Sequence, residues 1–138
     1  MTRGLRLLAQ DAEDLEIISA ALQDAVAKVG DIDYDPRGRT LTIAFNRFRW
    51  ETNGGRVRSA LQLGGVQAVK VRNLKRGVKE AVVELLSLTF EAGEPPGGAV
   101  NLMFAGGGDL RCEVECIDAV LADVSRPWPT PRRPEHQT

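Results

Sequence analysis

The chain contains few of the residues on which most catalytic and metal sites depend. It has one histidine, His136, and two cysteines, Cys112 and Cys116, in 138 residues. A structural zinc site needs four ligands, usually in two separated pairs, and a Ser–His or Cys–His pair needs a histidine held in the fold. We expect no catalytic residue, no metal ligand and no cofactor. The cysteines are expected to be small buried side chains that form no disulfide, since on one strand they would lie roughly 13 Å apart.

Long apolar runs and phosphate-binding motifs are also absent. No stretch approaches the roughly 20 apolar residues of a membrane-spanning helix, and the N-terminal segment has no signal-peptide core. The glycines at 106–108 precede neither a lysine nor a helical pattern, which a phosphate loop or a dinucleotide site requires. These absences predict a cytoplasmic protein that has no membrane partner.

Charge is segregated along the chain although the net charge is only −1. Residues 36–79 carry a net charge of +10, whereas residues 1–35 carry −5 and residues 80–138 carry −6. Such segregation creates a local field even in a nearly neutral protein. The basic middle segment is therefore the first place to look for a binding surface.

The clearest structural pattern lies in residues 99–118, which predict a β-hairpin. Apolar residues alternate in both arms, from Val100 to Phe104 and from Leu110 to Cys116. Strict alternation is typical of a strand with one buried face. The three glycines at 106–108 are expected to supply the positive φ angles of the turn.

One amphipathic helix is predicted near the N-terminus, over residues 12–22. Asp11 has the character of an N-cap, and Asp14 occupies the third helical position. Apolar residues then follow at spacings of three and four, which form one stripe of an amphipathic helix. That stripe comprises Leu15, Ile18, Leu22 and Val26. Residues 23–29 fit either a continued helix or a strand.

The remaining alternating segments predict about seven strands in all, counting the two hairpin arms. Residues 117–124 fit a helix or a strand equally well. Because most connections are too short for crossover helices, we expect an α+β fold with a mainly antiparallel sheet. It would pack as a sandwich or half-open barrel, of which a pleckstrin-homology-like barrel is one version. Residues 1–124 would form one globular domain, followed by a Pro-rich tail at 125–138.

Several fragments resemble an uncharacterised family of small alphaproteobacterial proteins, a domain of unknown function. The fragments, in chain order, are 18–20, 22–25, 46–48, 50–51, 104–107, 114–117, Leu121 and Asp123. They are spread over nearly the whole chain. The resemblance implies a cytosolic bacterial protein and transfers no catalytic residue.

Three pairs of basic residues, each at spacing i,i+2, are the candidate binding site. Residues two apart on a strand project from the same face. If the three strands are neighbours, the pairs would form one cationic patch, and Trp50 lies close enough in sequence to stack on a ligand. The candidate residues are Arg47, Arg49, Trp50, Arg56, Arg58, Lys70 and Arg72.

Three functions follow from these observations. The first is a non-enzymatic module that binds a protein partner, or a second copy of itself, through its sheet surface. The second is the binding of anions or single-stranded nucleic acid by the basic residues. The third is an enzyme with an unrecognised site. A sheet face whose cations pair with the acidic ends of the chain is the competing explanation for the basic residues.

Overall fold

The computed structural model describes residues 4–51 and 54–126, which form ten strands and one α-helix. The helix, α1, spans Ala12–Ala21. The strands are β1 (Arg6–Ala9), β2 (Val26–Lys28), β3 (Ile32–Asp35), β4 (Thr40–Phe48), β5 (Arg56–Leu63), β6 (Val66–Arg72), β7 (Val82–Ala92), β8 (Gly98–Phe104), β9 (Asp109–Val114) and β10 (Ala119–Asp123). Most of the expected tail, residues 127–138, lies outside the described part, so the predicted domain division stays a prediction.

All paired strands are antiparallel and form one open sheet. Its order is β1-β10-β5-β4-β2-β7-β8-β9-β6, and β3 pairs with β4 on the side that β2 also occupies. Because β1 and β6 are the two ends of this order, strand pairing does not close the sheet into a barrel. The expected α+β fold with a mainly antiparallel sheet is confirmed, while its pleckstrin-homology-like version stays a prediction.

The sheet folds over so that two halves share one core. The first half is β1, β10, β5, β4 and β3, and the second half is β7, β8, β9 and β6, with β2 between them. Ile43 and Leu61 of the first half and Leu102 and Cys112 of the second belong to the same buried cluster. Each strand therefore has an inner face toward this core and an outer face.

Helix α1 begins and packs as its sequence predicts. The side chain of Asp11 accepts a 2.8 Å hydrogen bond from the N–H of Asp14, which confirms the N-cap. The helix ends at Ala21, one residue earlier than predicted, and Leu22 is still buried as its C-cap. β2 pairs with only the first residues of β7. Further along β7, the N–H of Leu88 donates to Ser19 Oγ of the helix at 3.0 Å. The helix thus covers the part of this β7 edge that pairs with no strand of the described residues.

The sheet has ten strands, so the prediction of about seven was wrong. The three additional strands are β2, β3 and β10. β2 and β3 have only three and four residues, too few to show a period in the sequence. β10 follows Ile117 in a segment whose apolar spacing fitted both helix and strand. Its pairing with β1 and β5 decides for strand, because that pairing satisfies its backbone on both edges.

The predicted hairpin is present as β8 and β9, with two differences in detail. Gly106 and Gly107 have φ angles of +89° and +95°, but Gly108 is not in that region. Gly108 is instead needed for space, because a Cβ there would collide with the side chain of Leu74. Since β9 ends at Val114, Cys116 lies beyond the strand and is exposed, so its predicted burial was wrong.

Candidate functional site

Arg47, the first of the candidate binding residues, is fully buried. It lies near the end of β4 with its side chain on the inner face, and its Nε donates to Ser59 Oγ at 3.0 Å and to Asp123 Oδ1 at 3.1 Å. Its Nη2 donates to Glu51 Oε2 at 2.7 Å and to both Asp123 carboxylate oxygens at 3.0 Å. We call Arg47, Glu51, Ser59 and Asp123 the Arg47 cluster.

The Arg47 cluster is satisfied internally and ties four segments together. Ser59 Oγ donates to Asp123 Oδ1 at 2.6 Å, and the N–H of Leu5, just before β1, donates to Asp123 Oδ2 at 2.8 Å. The hydrogen bond from Arg47 lowers the pKa of Glu51. Burial by itself lowers the pKa of Arg47, but the hydrogen bonds and charges of Glu51 and Asp123 outweigh burial and raise it. This guanidinium stabilises the fold and presents no charge to a ligand.

The aromatic residues at the end of β4 pack on the outer face. The β4–β5 register runs without a shift to Phe48 opposite Arg56, so no bulge redirects Phe48. Its ring is buried by the loop that follows: the Trp50 ring meets it edge-on, with centroids 4.7 Å apart. A Cβ on Gly54 would lie 3.2 Å from Phe48 Cζ. The apolar contact therefore changes sides of the sheet at Phe48, and Trp50 is used for packing.

Arg49, Arg56 and Arg58 lie at the same end of the β4–β5 hairpin. Arg58 Nη2 donates to Asp31 Oδ2 at 3.1 Å, which neutralises it. Arg49 and Arg56 are half-buried and form no ion pair with a residue in the described ranges. Arg56 Nη1 is buried and has no hydrogen-bond acceptor among those residues.

Lys70 and Arg72 are far from this hairpin in the sheet order. They lie on β6, which pairs only with β9 among the described strands. Lys70 Nζ lies 3.2 Å from Glu113 Oε1, and Arg72 Nη2 lies 2.7 Å from Asp109 Oδ2. Strand pairing therefore brings the two hairpin pairs together but not the third. The binding prediction for these residues stays a prediction.

The outer face of the second half is a ladder of opposite charges. Neighbouring strands place Lys70 opposite Arg111 and Arg72 opposite Asp109, and Arg111 Nη1 in turn pairs with an oxygen of Glu91. We call this the charged face. Its ionised members, equal in number for each sign, are Lys70, Arg72, Glu91, Asp109, Arg111 and Glu113.

The outer face of the first half carries a row of alanines over three neighbouring strands. Ala122 of β10, Ala60 of β5 and Ala44 of β4 lie side by side in the register, and Arg6 of β1 continues the row beyond Ala122. Leu8 and Val120 lie in the next row, which Gln62 and Thr42 continue, and Val124 lies on the other side of the alanines in the row of Arg58 and Asn46. We call this surface the alanine face. Its members are Leu8, Ala44, Ala60, Val120, Ala122 and Val124.

The alanine face is open to solvent in the described chain. Leu8 and Val124 are both 59% exposed, and the three alanines are half-buried. Sequence reasoning missed this face because it assigned only large apolar residues to faces. The available signal is that Ala44, Ala60 and Ala122 occupy outward positions of otherwise alternating strands, where polar side chains are usual.

The described residues hold no group of three or more histidine, cysteine, aspartate or glutamate side chains that could bind a metal ion. Burial raises the pKa of the Cys112 thiol to about 12, so this sulfur stays protonated at neutral pH. In the same part of the chain, no helix has the length and apolar character needed to cross a membrane.

Comparison with known proteins identifies the family of the chain but no molecular function. The family described as "Protein of unknown function (DUF2948)" matches residues 5–136. No curated protein matches the chain, and no solved structure matches it. The resemblance found in the sequence fragments is thereby confirmed at the level of an uncharacterised family, while an alphaproteobacterial source stays an expectation. The chain belongs to the DUF2948 family, a family of unknown function.

Proposed function

We propose that this protein is a non-enzymatic binding module that forms a homodimer, with the alanine face of one copy packed on that of a second. The observation that carries the proposal is the unbroken row of Ala122, Ala60 and Ala44 across β10, β5 and β4. A contiguous row of apolar side chains on an open sheet face is what an interface covers, because removing apolar area from water is favourable.

Small side chains suit this face to a second sheet. Two sheets packed face to face lie about 10 Å apart, and an alanine row lets the backbones approach closely without a side chain in the way. Leu8 and Val124 project at either side of the row and are mostly exposed. They would fill the space beside the alanines of the opposite copy.

The charges at the rim favour a second copy as the partner. Arg6 lies on β1 at one side of the alanine face, and Asp33 lies on β3 at the opposite side, and both are exposed. A two-fold axis lying between the copies and parallel to the strands places β1 of one copy over β3 and β4 of the other. Arg6 then approaches Asp33 of the partner twice in the dimer, once at each side.

The size of the face sets the strength of the dimer. Four strands spaced by about 4.8 Å, with some five residues of each at about 3.4 Å, cover only a few hundred Å². A stable interface buries about 800 Å² per partner. We therefore expect a weak dimer whose population depends on protein concentration.

Sedimentation velocity over a wide range of protein concentration tests the proposal. The average mass of the native chain should rise toward that of a dimer, and Ala60→Arg should stay monomeric because it places a charge in the centre of the face. Ala68→Arg is the matched control, since Ala68 lies outward on β6. It should associate like the native chain. A native chain that stays monomeric throughout, or an Ala60→Arg variant that still dimerises, contradicts the proposal.

A second candidate, anion binding at the β4–β5 hairpin, rests on Arg49 and Arg56, which are half-buried and form no ion pair with a described residue. A phosphate or a single strand of nucleic acid would supply the opposite charge. Fluorescence anisotropy with a short single-stranded oligonucleotide should then show binding that weakens steeply with salt, because phosphate contacts release counterions. Replacing Arg49 and Arg56 by serine should abolish it, and replacing Arg6 and Arg37 should not. Absence of binding at low salt eliminates this candidate.

A further inference from the structure

A cleft opens in the wall of the fold between β3 and β6. β3 pairs with β4 and β6 pairs with β9, so the other edge of each strand faces this gap. At one end the edges are joined: the Tyr34 hydroxyl donates to the carbonyl of Val66 at 3.0 Å, and the N–H of Val66 donates to the carbonyl of Arg39 at 2.8 Å. Beyond this junction lies a cleft of about 260 Å³.

The cleft is lined by aliphatic side chains from both halves of the sheet. Leu41 and Leu110 form its floor and are almost completely buried. The half-buried walls are Val29, Ile32, Val69, Val71 and Leu74. The ring of Tyr34 also lines the cleft, while its hydroxyl is already engaged by Val66. The lining side chains apart from Arg76 therefore suit a hydrocarbon group, while the free backbone edges of β3 and β6 give the cleft polar surface as well.

The mouth of the cleft carries unneutralised positive charge. Arg76 lines the cleft and is exposed, and Lys75 and Lys79 belong to the same exposed segment. None of the three forms an ion pair with a described residue. Two carboxylates close to this segment in sequence or in the fold are already paired, Asp31 with Arg58 and Glu80 with Lys28. An apolar interior with a cationic mouth is complementary to a molecule that has a hydrocarbon tail and an anionic end.

We propose that this cleft binds a small free carboxylate with an apolar tail, its tail between β3 and β6 and its carboxylate beside Arg76. The volume sets the size of the tail: a cavity of about 150 Å³ holds benzene, and pockets for drug-sized ligands begin at about 300 Å³. A tail of medium length fits between these limits. The site lies on the inner side of β3, so it is independent of the alanine face and of dimer formation.

Binding of sodium octanoate to the full chain, followed by amide chemical shifts in solution NMR, tests the proposal. Octanoate should shift resonances of β3, β6 and residues 74–76 in a saturable way. Acetate, which has the charge without the tail, should not. Octanol, which has the tail without the charge, should bind more weakly. No saturable shift with octanoate, or shifts confined to other regions, overturns the proposal.

Two variants with matched controls separate the apolar and charged parts of the site. Val69→Phe fills the cleft and should abolish binding, whereas Ala68→Phe, whose side chain lies on the opposite face of β6, should not. Arg76→Ser should weaken octanoate binding by about two- to fivefold, the range expected of one exposed charge contact, and leave octanol binding unchanged. Arg37→Ser is its control. If Val69→Phe does not fold, the other measurements still test the proposal. Equal affinity for octanoate and octanol, together with unchanged octanoate binding by Arg76→Ser, would reject an anionic ligand.

Discussion

The two halves of the sheet differ in where their networks of ion pairs lie. In the first half, the ion pairs of Arg47 with Asp123 and Glu51 lie on the inner face, and the alanine row lies outside. In the second half, Cys112 and its neighbours make the inner face apolar, and the ion pairs lie outside on the charged face. The half with buried charge is thus the half that carries the proposed dimer interface.

This difference has different energetic consequences in the two halves. An exposed ion pair contributes at most about 1 kcal/mol, because water solvates both partners and their side chains lose entropy on pairing. A buried charge that loses its partner costs several kcal/mol, because nothing replaces its solvation. The charged face therefore contributes little to stability, while the Arg47 cluster fixes the positions of β4, β5 and β10.

The largest expected effect is that of Arg47→Met. The substitution keeps the apolar volume but leaves the Asp123 carboxylate, 5% exposed, without its cation. We expect the free energy of unfolding to fall by about 3–5 kcal/mol, measured by urea denaturation. Arg47→Lys, which keeps the charge but not the fork of donors, should lose less.

Lys70→Met on the charged face is the matched control for Arg47→Met. It also removes a cation from an ion pair, but the side chains of Lys70 and Glu113 are 64% and 41% exposed. Its cost should stay below about 1 kcal/mol. Equal losses for the two variants would contradict the contrast between the halves.

A smaller effect, visible through its pH dependence, is expected for Glu51→Gln. The hydrogen bond from Arg47 holds the pKa of Glu51 below its ordinary value of 4.5. A carboxyl whose pKa is lowered by folding stabilises the native state above its unfolded pKa and loses that contribution as pH falls through the folded pKa. The native chain should therefore be more stable than Glu51→Gln at neutral pH, by less than the loss for Arg47→Met.

Urea denaturation of both proteins from neutral pH down to well below 4.5 checks this expectation. The difference in unfolding free energy should begin to shrink near the ordinary pKa and vanish once Glu51 is protonated in both states. A difference that is constant with pH would mean that the Arg47–Glu51 hydrogen bond does not stabilise the native state through the charge of Glu51.

The elements that could be predicted are those whose signal is local. The N-cap Asp11 and the apolar stripe that follows it predict the helix. The alternation of apolar residues on either side of Gly106 and Gly107 predicts the hairpin of β8 and β9. β2 and β3 could not be predicted, because three and four residues are too few to show an alternating apolar pattern. β10 stayed ambiguous because apolar spacing alone does not distinguish a short helix from a strand.

The candidate site was less predictable because it depends on partners distant in sequence. Arg47 and Asp123 are separated by 76 residues and meet only because β5 lies between β4 and β10. Lys70 would share a patch with Arg58 only if their strands were neighbours, yet β6 pairs with β9 on the opposite half. The alanine face could not be predicted because its three alanines lie on different strands, which only the strand order brings side by side.

By itself the sequence determined helix α1, the hairpin of β8 and β9, the two-sided character of the longer strands and the segregation of charge along the chain. These properties follow from side-chain periodicity and from turn and cap chemistry, which act over a few residues. Only the tertiary structure decided the strand order, the burial of Arg47 and the gap between β3 and β6. The physical reason is that strand pairing brings together segments that are distant in sequence. The neighbours supplied in this way decide whether an arginine is buried in ion pairs like Arg47, lies on the charged face like Arg72 or lines the cleft like Arg76.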